Sequence, residues 1–256
     1  METRELFWAL SRTEIALFYV AGYAAILAFV WGFVRHIRKY HRARSLPAGI
    51  TALHGLRRML IDVLSHRTLV RRDRTAGIAH AAIFFGFVLA LAGTSIIFVD
   101  YDIYQVLFGH SFWVGDFYLV FSLVLDLAGL ALLIGLVVMI WRRWILRPRK
   151  LDYVRSYAGE EAPRATARKW RWEDRVFVLT LFVLVVTGFT QEGLRLYMEM
   201  PEWRAWSPVG NLVAQGLAVV DMPLETAGAL RRSGWWFHGL LALAFTAAIP
   251  WYKAKH

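Results

Sequence analysis

The 256-residue sequence contains no cysteine. That absence excludes a disulfide, a thioether-attached haem and a cysteine-ligated iron–sulfur cluster on these residues. Any redox centre held here must use other ligands, with imidazole the first candidate. Acidic residues are scarce beside basic ones, 19 Asp+Glu against 30 Lys+Arg, for a formal net charge of +11. There is no internal repeat of the kind that marks many transporters, no low-complexity tract, and no nucleophile–base arrangement that would point to lipid-modifying catalysis.

What is present is apolar: 58% of the residues are hydrophobic, and the charge is gathered between apolar blocks. That separation is the mark of a polytopic membrane protein. Basic residues lying between hydrophobic spans set topology and do not point to nucleic acid. Five segments are long or apolar enough to cross a bilayer, near 15–34, 76–99, 117–141, 176–197 and 235–252. Backbone groups cannot stay unpaired in hydrocarbon, and strict alternation is absent, so the spans read as helices. The first is long and is not followed by a small-residue cleavage site, and so reads as a retained helix.

Orientation follows from the connections. Residues 35–74 carry 11 Lys/Arg and 142–175 carry 11, whereas 100–116 carry none and 192–234 carry 4. By the positive-inside rule the N-terminus faces outward and the C-terminus the cytoplasm. The expected fold is an all-α bundle of five transmembrane helices, forming one membrane domain over 1–256. Near 50–70 an amphipathic helix carries Leu53, Leu56, Met59, Leu60, Val63 and Leu64 on one side, with Arg57, Arg58, Asp62 and His66 elsewhere. It suits the cytoplasmic interface, and a docking surface for a soluble partner is the alternative reading. The second basic connection, with Pro148 and Pro163, reads as a partly irregular loop. The outer connection holds Trp203, Trp206 and the apolar run 212–220, and predicts a re-entrant or interfacial helix.

His238 and His256 stand 18 residues apart on the last span, about 27 Å along a helix and close to the thickness of a bilayer core. His80, one turn into the second span, shares the cytoplasmic side with His256. Two imidazoles at one depth suit a bis-histidine haem b, with Gly77, Gly86 and Gly239 as room for the ring; two unrelated histidines are the alternative. On the other side His110 is the remaining histidine that could face His238. His36, His41, His54 and His66 lie among arginines and read as solvated. Asp126, midway through a span, should face the bundle interior, neutral or bonded to a hydroxyl such as Ser122 or Thr187, with a proton relay as the alternative. For quinone and proton chemistry the candidates are Glu192 and Arg195 on one helix face, and Asp116; an ion pair fixing the outer loop is the other reading of the first two.

These residues resemble a known family. Ala76-Gly77-Ile78-Ala79-His80, Phe84-Phe85-Gly86-Phe87, Gly93-Thr94, Val186-Thr187-Gly188-Phe189, Glu192 and Arg195, Trp206-Ser207-Pro208-Val209-Gly210, Trp235-Trp236-Phe237-His238 and Ile249-Pro250-Trp251 look like the membrane domain related to the respiratory nitrate reductase gamma subunit. The likeness is nearest to versions fused to, or partnered with, heterodisulfide-reductase-like iron–sulfur proteins. These include electron-transfer-flavoprotein:menaquinone oxidoreductases and the sulfite-reductase-associated membrane subunit. The resemblance covers nearly the whole chain.

It implies a five-helix haem b subunit of the cytoplasmic (inner) membrane. Such a subunit passes electrons between a cytoplasmic iron–sulfur partner, or electron-transfer flavoprotein, and membrane quinone of the menaquinone type. In the nitrate reductase relative four histidines on the second and fifth helices ligate two haems. His80, His238 and His256 match three of these positions, and the fourth falls at Ala90, which cannot bind iron. One or two haems b are therefore expected, with His110 as a substitute ligand. Fused relatives continue into a cysteine-rich domain, so such a partner is expected on a separate subunit or beyond residue 256. A haem-free membrane anchor or a transporter is the alternative function.

Overall fold

A computed structural model describes residues 2–40, 52–147 and 164–251, and its described residues contain helices and no strands. In chain order these are α1 (Arg12–Tyr40), α2 (Ala52–Ser65), α3 (Arg67–Arg72), α4 (Arg74–Phe98), α5 (Gln105–Phe108), α6 (Gly115–Trp141), α7 (Arg164–Glu199), α8 (Pro208–Val219) and α9 (Leu224–Ala248). Among the described residues four helical segments are long and apolar enough to cross a membrane: Arg12–Lys39, Arg74–Phe108, Gly115–Leu146 and Arg168–Glu199. They coincide with the first four expected spans and run past them at both ends.

The fifth expected span corresponds to α9, of 25 residues, which begins earlier than its apolar run does. Its first turns carry Arg231 and Arg232, and it is not among the four helices long and apolar enough to cross a membrane. Arg231 is nevertheless buried, because its guanidinium pairs with Glu199 at 2.7 Å and lies 4.3 Å over the Trp8 ring. Near its end Pro250 has no amide to donate, and α9 gives way to a 3₁₀ turn over Ile249–Trp251. The Pro250 ring sits against Gly32 of α1, where a side chain would collide.

The core lies between α4, α6, α7 and α9. Leu132 and Leu136 of α6 and Val178, Leu181 and Val185 of α7 are buried, with Phe87 of α4 and Phe245 of α9 packed on them. Gly86 and Gly135 bring the backbones of α4 and α6 together, since a Cβ on either would lie 2.7 Å from a carbonyl oxygen of the facing helix.

The amphipathic stretch is not one helix. The chain breaks at His66, which takes a left-handed conformation (φ 48°, ψ 15°) between α2 and α3. The apolar residues Leu56, Met59, Leu60, Val63 and Leu64 of α2 remain exposed, as an interfacial helix requires. α3 instead folds back on α4. Gly77 permits this, because a Cβ there would lie 2.5 Å from the Val70 Cα. Asp73 then caps α4 by accepting from the Ala76 amide at 3.1 Å and pairs with Arg142 at 2.7 Å.

At the charge-poor end Asp100 is fully buried. Its carboxylate accepts from Gln105 Nε2, Ser111 Oγ and the Phe112 amide, each at 2.8 Å, and from the Trp113 amide at 3.2 Å. This one side chain organises the connection that carries no Lys or Arg. The connection between α7 and α9 forms a short apolar helix, α8. Its first amides, Val209 and Gly210, donate to the two oxygens of Asp126 at 2.7 and 3.1 Å. Asp126 is about three turns into α6, so α8 starts roughly 16 Å below the end of that helix. The geometry is re-entrant. Asp126 thus meets backbone amides and not the expected hydroxyls, because a carboxylate at a helix N-terminus satisfies otherwise orphaned donors.

Candidate functional site at two depths of the bundle

α4 runs from the basic end of the bundle toward the charge-poor end and α9 runs the opposite way, and they meet where Phe87 packs on Phe245, ring centroids 6.0 Å apart. Phe177 of α7 joins this layer at 5.6 Å from Phe245. His80 lies two turns before Phe87 and His238 two turns before Phe245. The histidines therefore sit on opposite sides of an aromatic layer, each roughly 10 Å from it along the axis.

His238 is held by α7. Its Nδ1 is 2.9 Å from Thr187 Oγ1, while the Thr187 hydroxyl reaches the Val183 carbonyl at 2.7 Å and that of Leu184 at 3.1 Å. A hydroxyl has one proton, and two carbonyls compete for it. With that proton on a backbone carbonyl, Thr187 Oγ1 accepts from His238 Nδ1, and the ring proton then sits on Nδ1. Nε2 is left with its lone pair and makes no hydrogen bond among the described residues. An imidazole oriented by a bond through one nitrogen and presenting the other is the arrangement metal-ligating histidines use. The residues present at this depth fit an imidazole-ligated group. Gly188 adds room, for a Cβ there would already touch the His238 ring at 3.5 Å.

At the basic end the structure differs from expectation. His66 is not solvated: it is 5% exposed, and its ring lies 5.2 Å from that of His80 and 5.0 Å from that of Phe84. The left-handed break and the α3–α4 contact at Gly77 turn it inward. Rings in such contact leave no gap for a macrocycle between them, so His66 packs beside His80 and does not face it across an iron. Its buried Nδ1 has no hydrogen-bond partner among the described residues. His36 is half-buried, and its Nε2 donates to the Pro250 carbonyl at 2.8 Å. His256 and His41 lie outside the described residues, as does the side chain of His54.

The glycines expected to leave room for a ring do not do so. Gly77 and Gly86 are closed by neighbouring backbone, and a Cβ on Gly239 would lie 2.9 Å from Phe18. His110 is exposed. Its Nδ1 bonds the Phe108 carbonyl at 3.0 Å and its Nε2 the Tyr104 hydroxyl at 3.2 Å. Both nitrogens are engaged within their own turn, and no hydrogen bond or ring contact joins His110 to His238.

Glu192 and Arg195 are together, as their spacing implies, in a closed ionic cluster. Arg195 donates to the two Glu192 oxygens at 2.7 and 3.2 Å and to Glu199 at 3.3 Å, Ser207 adds a hydrogen bond to Glu192 at 3.0 Å, and Arg4 approaches Glu192 at 3.6 Å. Arg195 also stacks over Trp203 at 5.2 Å. With these oxygens and the guanidinium engaged, the cluster fastens the re-entrant connection. Asp116 is exposed in the first turn of α6 and has no bond to the cluster. Sequence reasoning passed over Gln191 and the role of Thr187, although polar residues at i and i+4 within an apolar span mark one face of a helix.

No protein-family model matches the chain, and no solved structure matches it. Among curated proteins, the EtfAB:quinone oxidoreductase of Syntrophomonas wolfei subsp. wolfei (strain DSM 2245B / Goettingen) is 28% identical over 196 residues, which is 73% of this chain and 24% of that protein. The chain thus spans about a quarter of that relative's length.

Proposed function

We propose that this chain is a cytochrome b electron-transfer subunit of the cytoplasmic membrane, with α9 as a fifth span, the N-terminus outside and the basic connections in the cytoplasm. It links a cytoplasmic partner, an electron-transfer flavoprotein or a heterodisulfide-reductase-like iron–sulfur protein, to membrane quinone of the menaquinone type. The observation that carries this reading is His238, whose proton is fixed on Nδ1 by Thr187 and whose Nε2 is left as a ligand. The relative's name, with its quinone and its flavoprotein, supports the same direction.

Haem b, when bound, supplies a one-electron carrier that these residues cannot provide themselves. His238 would hold it at the outer depth. His80, with His256 as its expected companion, would hold it at the inner depth. His110, engaged in its own turn, supplies no ligand in this reading. The Phe87, Phe177 and Phe245 layer keeps the space between the two depths dry, and the Asp126 and Glu192 contacts hold the re-entrant connection over the outer one. A haem-free anchor would need no imidazole oriented in this way within an apolar helix.

The test is a dithionite-reduced minus oxidised spectrum of the purified protein, with pyridine haemochromogen quantitation. One or two haems b per chain are expected. His80→Ala and His238→Ala should each diminish the signal while membrane insertion is retained. A protein without a Soret band after haem supplementation would refute the reading in favour of an anchor or transporter.

A further inference from the structure

Between α7 and α9, toward the charge-poor end, lies a cavity of about 300 Å³. Its walls include Thr187, Gln191 and Leu194 from one helix and Gly234 and Phe237 from the other. The volume is at the small end of ligand pockets, which run about 300–1,000 Å³, so it suits a compact headgroup. At the lips Phe237 and Leu230 are half exposed, so the cavity is open at the protein surface.

The polar groups around it are not equivalent. Ser233 donates to its own helix at the Ala229 carbonyl, 2.9 Å away. Thr190 does the same to Val186 at 2.9 Å, and the Thr187 proton is engaged as described. Gln191 stands apart. Its amide lies against Gly234, where any Cβ would run into Nε2, and it makes no hydrogen bond among the described residues. A bare glycine thus accommodates an amide that keeps its donors in an apolar slot, where an unmet donor has a desolvation cost. Thr187, which orients His238, forms part of the same wall.

We propose that this slot binds the headgroup of a membrane quinone, with Gln191 Nε2 donating to one quinone carbonyl and Phe237 lying along the ring. The inference rests on the quinone-linked function proposed above, and it moves the quinone away from Glu192, Arg195 and Asp116. A single free donor anchors one carbonyl only, which suits a ligand that must enter and leave from the membrane.

The experiment uses the full chain purified in detergent and menadione, a naphthoquinone without a tail, followed by quenching of intrinsic fluorescence. Gln191→Leu is expected to weaken binding about tenfold, the effect of one lost hydrogen bond of ordinary strength, and Gly234→Ala, which displaces the amide, to weaken it in the same direction. The haem spectrum of both variants should stay as in the parent. Equal affinity in the parent and in both variants, or no binding to the parent, would overturn the slot while leaving the haem reading intact. A parent that binds menadione through Gln191 yet contains no haem would overturn the electron-transfer reading and leave the slot standing.

Discussion

Thr187 Oγ1 and His238 Nδ1 lie 2.9 Å apart, and the direction of the proton between them is decided by two carbonyls further back on α7. With the hydroxyl proton on the Val183 or Leu184 carbonyl, the threonine is an acceptor and the imidazole presents Nε2. Losing the acceptor frees the tautomer. Thr187→Val, close in shape and without the hydroxyl, is expected to lower haem retention at the His238 depth by about 10- to 100-fold, the usual effect of removing the group that orients a metal-binding histidine. Thr187→Ser should restore it. Haem content under graded detergent washing reads the difference, and retention unchanged in the valine variant would remove Thr187 from the site.

Asp126 joins α6 to the first turn of α8 through two amides. Asp126→Ala leaves both donors without an acceptor, and should destabilise the folded protein by about 2 kcal/mol, within the range for bonds to a charged group and for lost helix caps. Asp126→Asn keeps one acceptor oxygen and should fall between. Thermal unfolding in detergent measures the order. Equal stability of all three proteins would mean that the re-entrant helix is held by other contacts.

Gly77 lets α3 reach α4, and His66 is turned inward by that contact. Gly77→Val places atoms where the Val70 backbone lies and should cost about 1–3 kcal/mol as an overpacked contact. It should also release His66 to solvent. Diethylpyrocarbonate modification of His66, followed by mass spectrometry, is expected to be slow in the parent and fast in the variant. Equal rates would show that His66 does not depend on the glycine.

The absence of cysteine makes topology easy to read. Single replacements Glu225→Cys, Asp62→Cys and Trp251→Cys sit at the start of α9, on α2 and just past the end of α9. With an impermeant thiol reagent on intact cells, Glu225→Cys should label, whereas Asp62→Cys and Trp251→Cys should label only after permeabilisation. Labelling of Trp251→Cys from outside would mean that α9 does not cross.

The sequence by itself determined the membrane character, because uncharged runs of bilayer length have no other stable setting. It determined the first four helical spans, and it marked His80 and His238 as imidazoles set within apolar helices. It also carried the ion pair of Glu192 with Arg195, since residues three apart on a helix are neighbours. Periodicity does not say which carbonyl or amide a side chain will meet. Only the tertiary structure decided that Asp126 caps a re-entrant helix, that His66 turns inward beside His80, and that the glycines expected to leave room instead close helix contacts. The tautomer of His238 and the free amide of Gln191 depend on atoms contributed by two helices at once. The Thr187–His238 hydrogen bond and the contact of Gln191 with Gly234 join residues far apart in sequence, and such pairings exist only once the helices have packed.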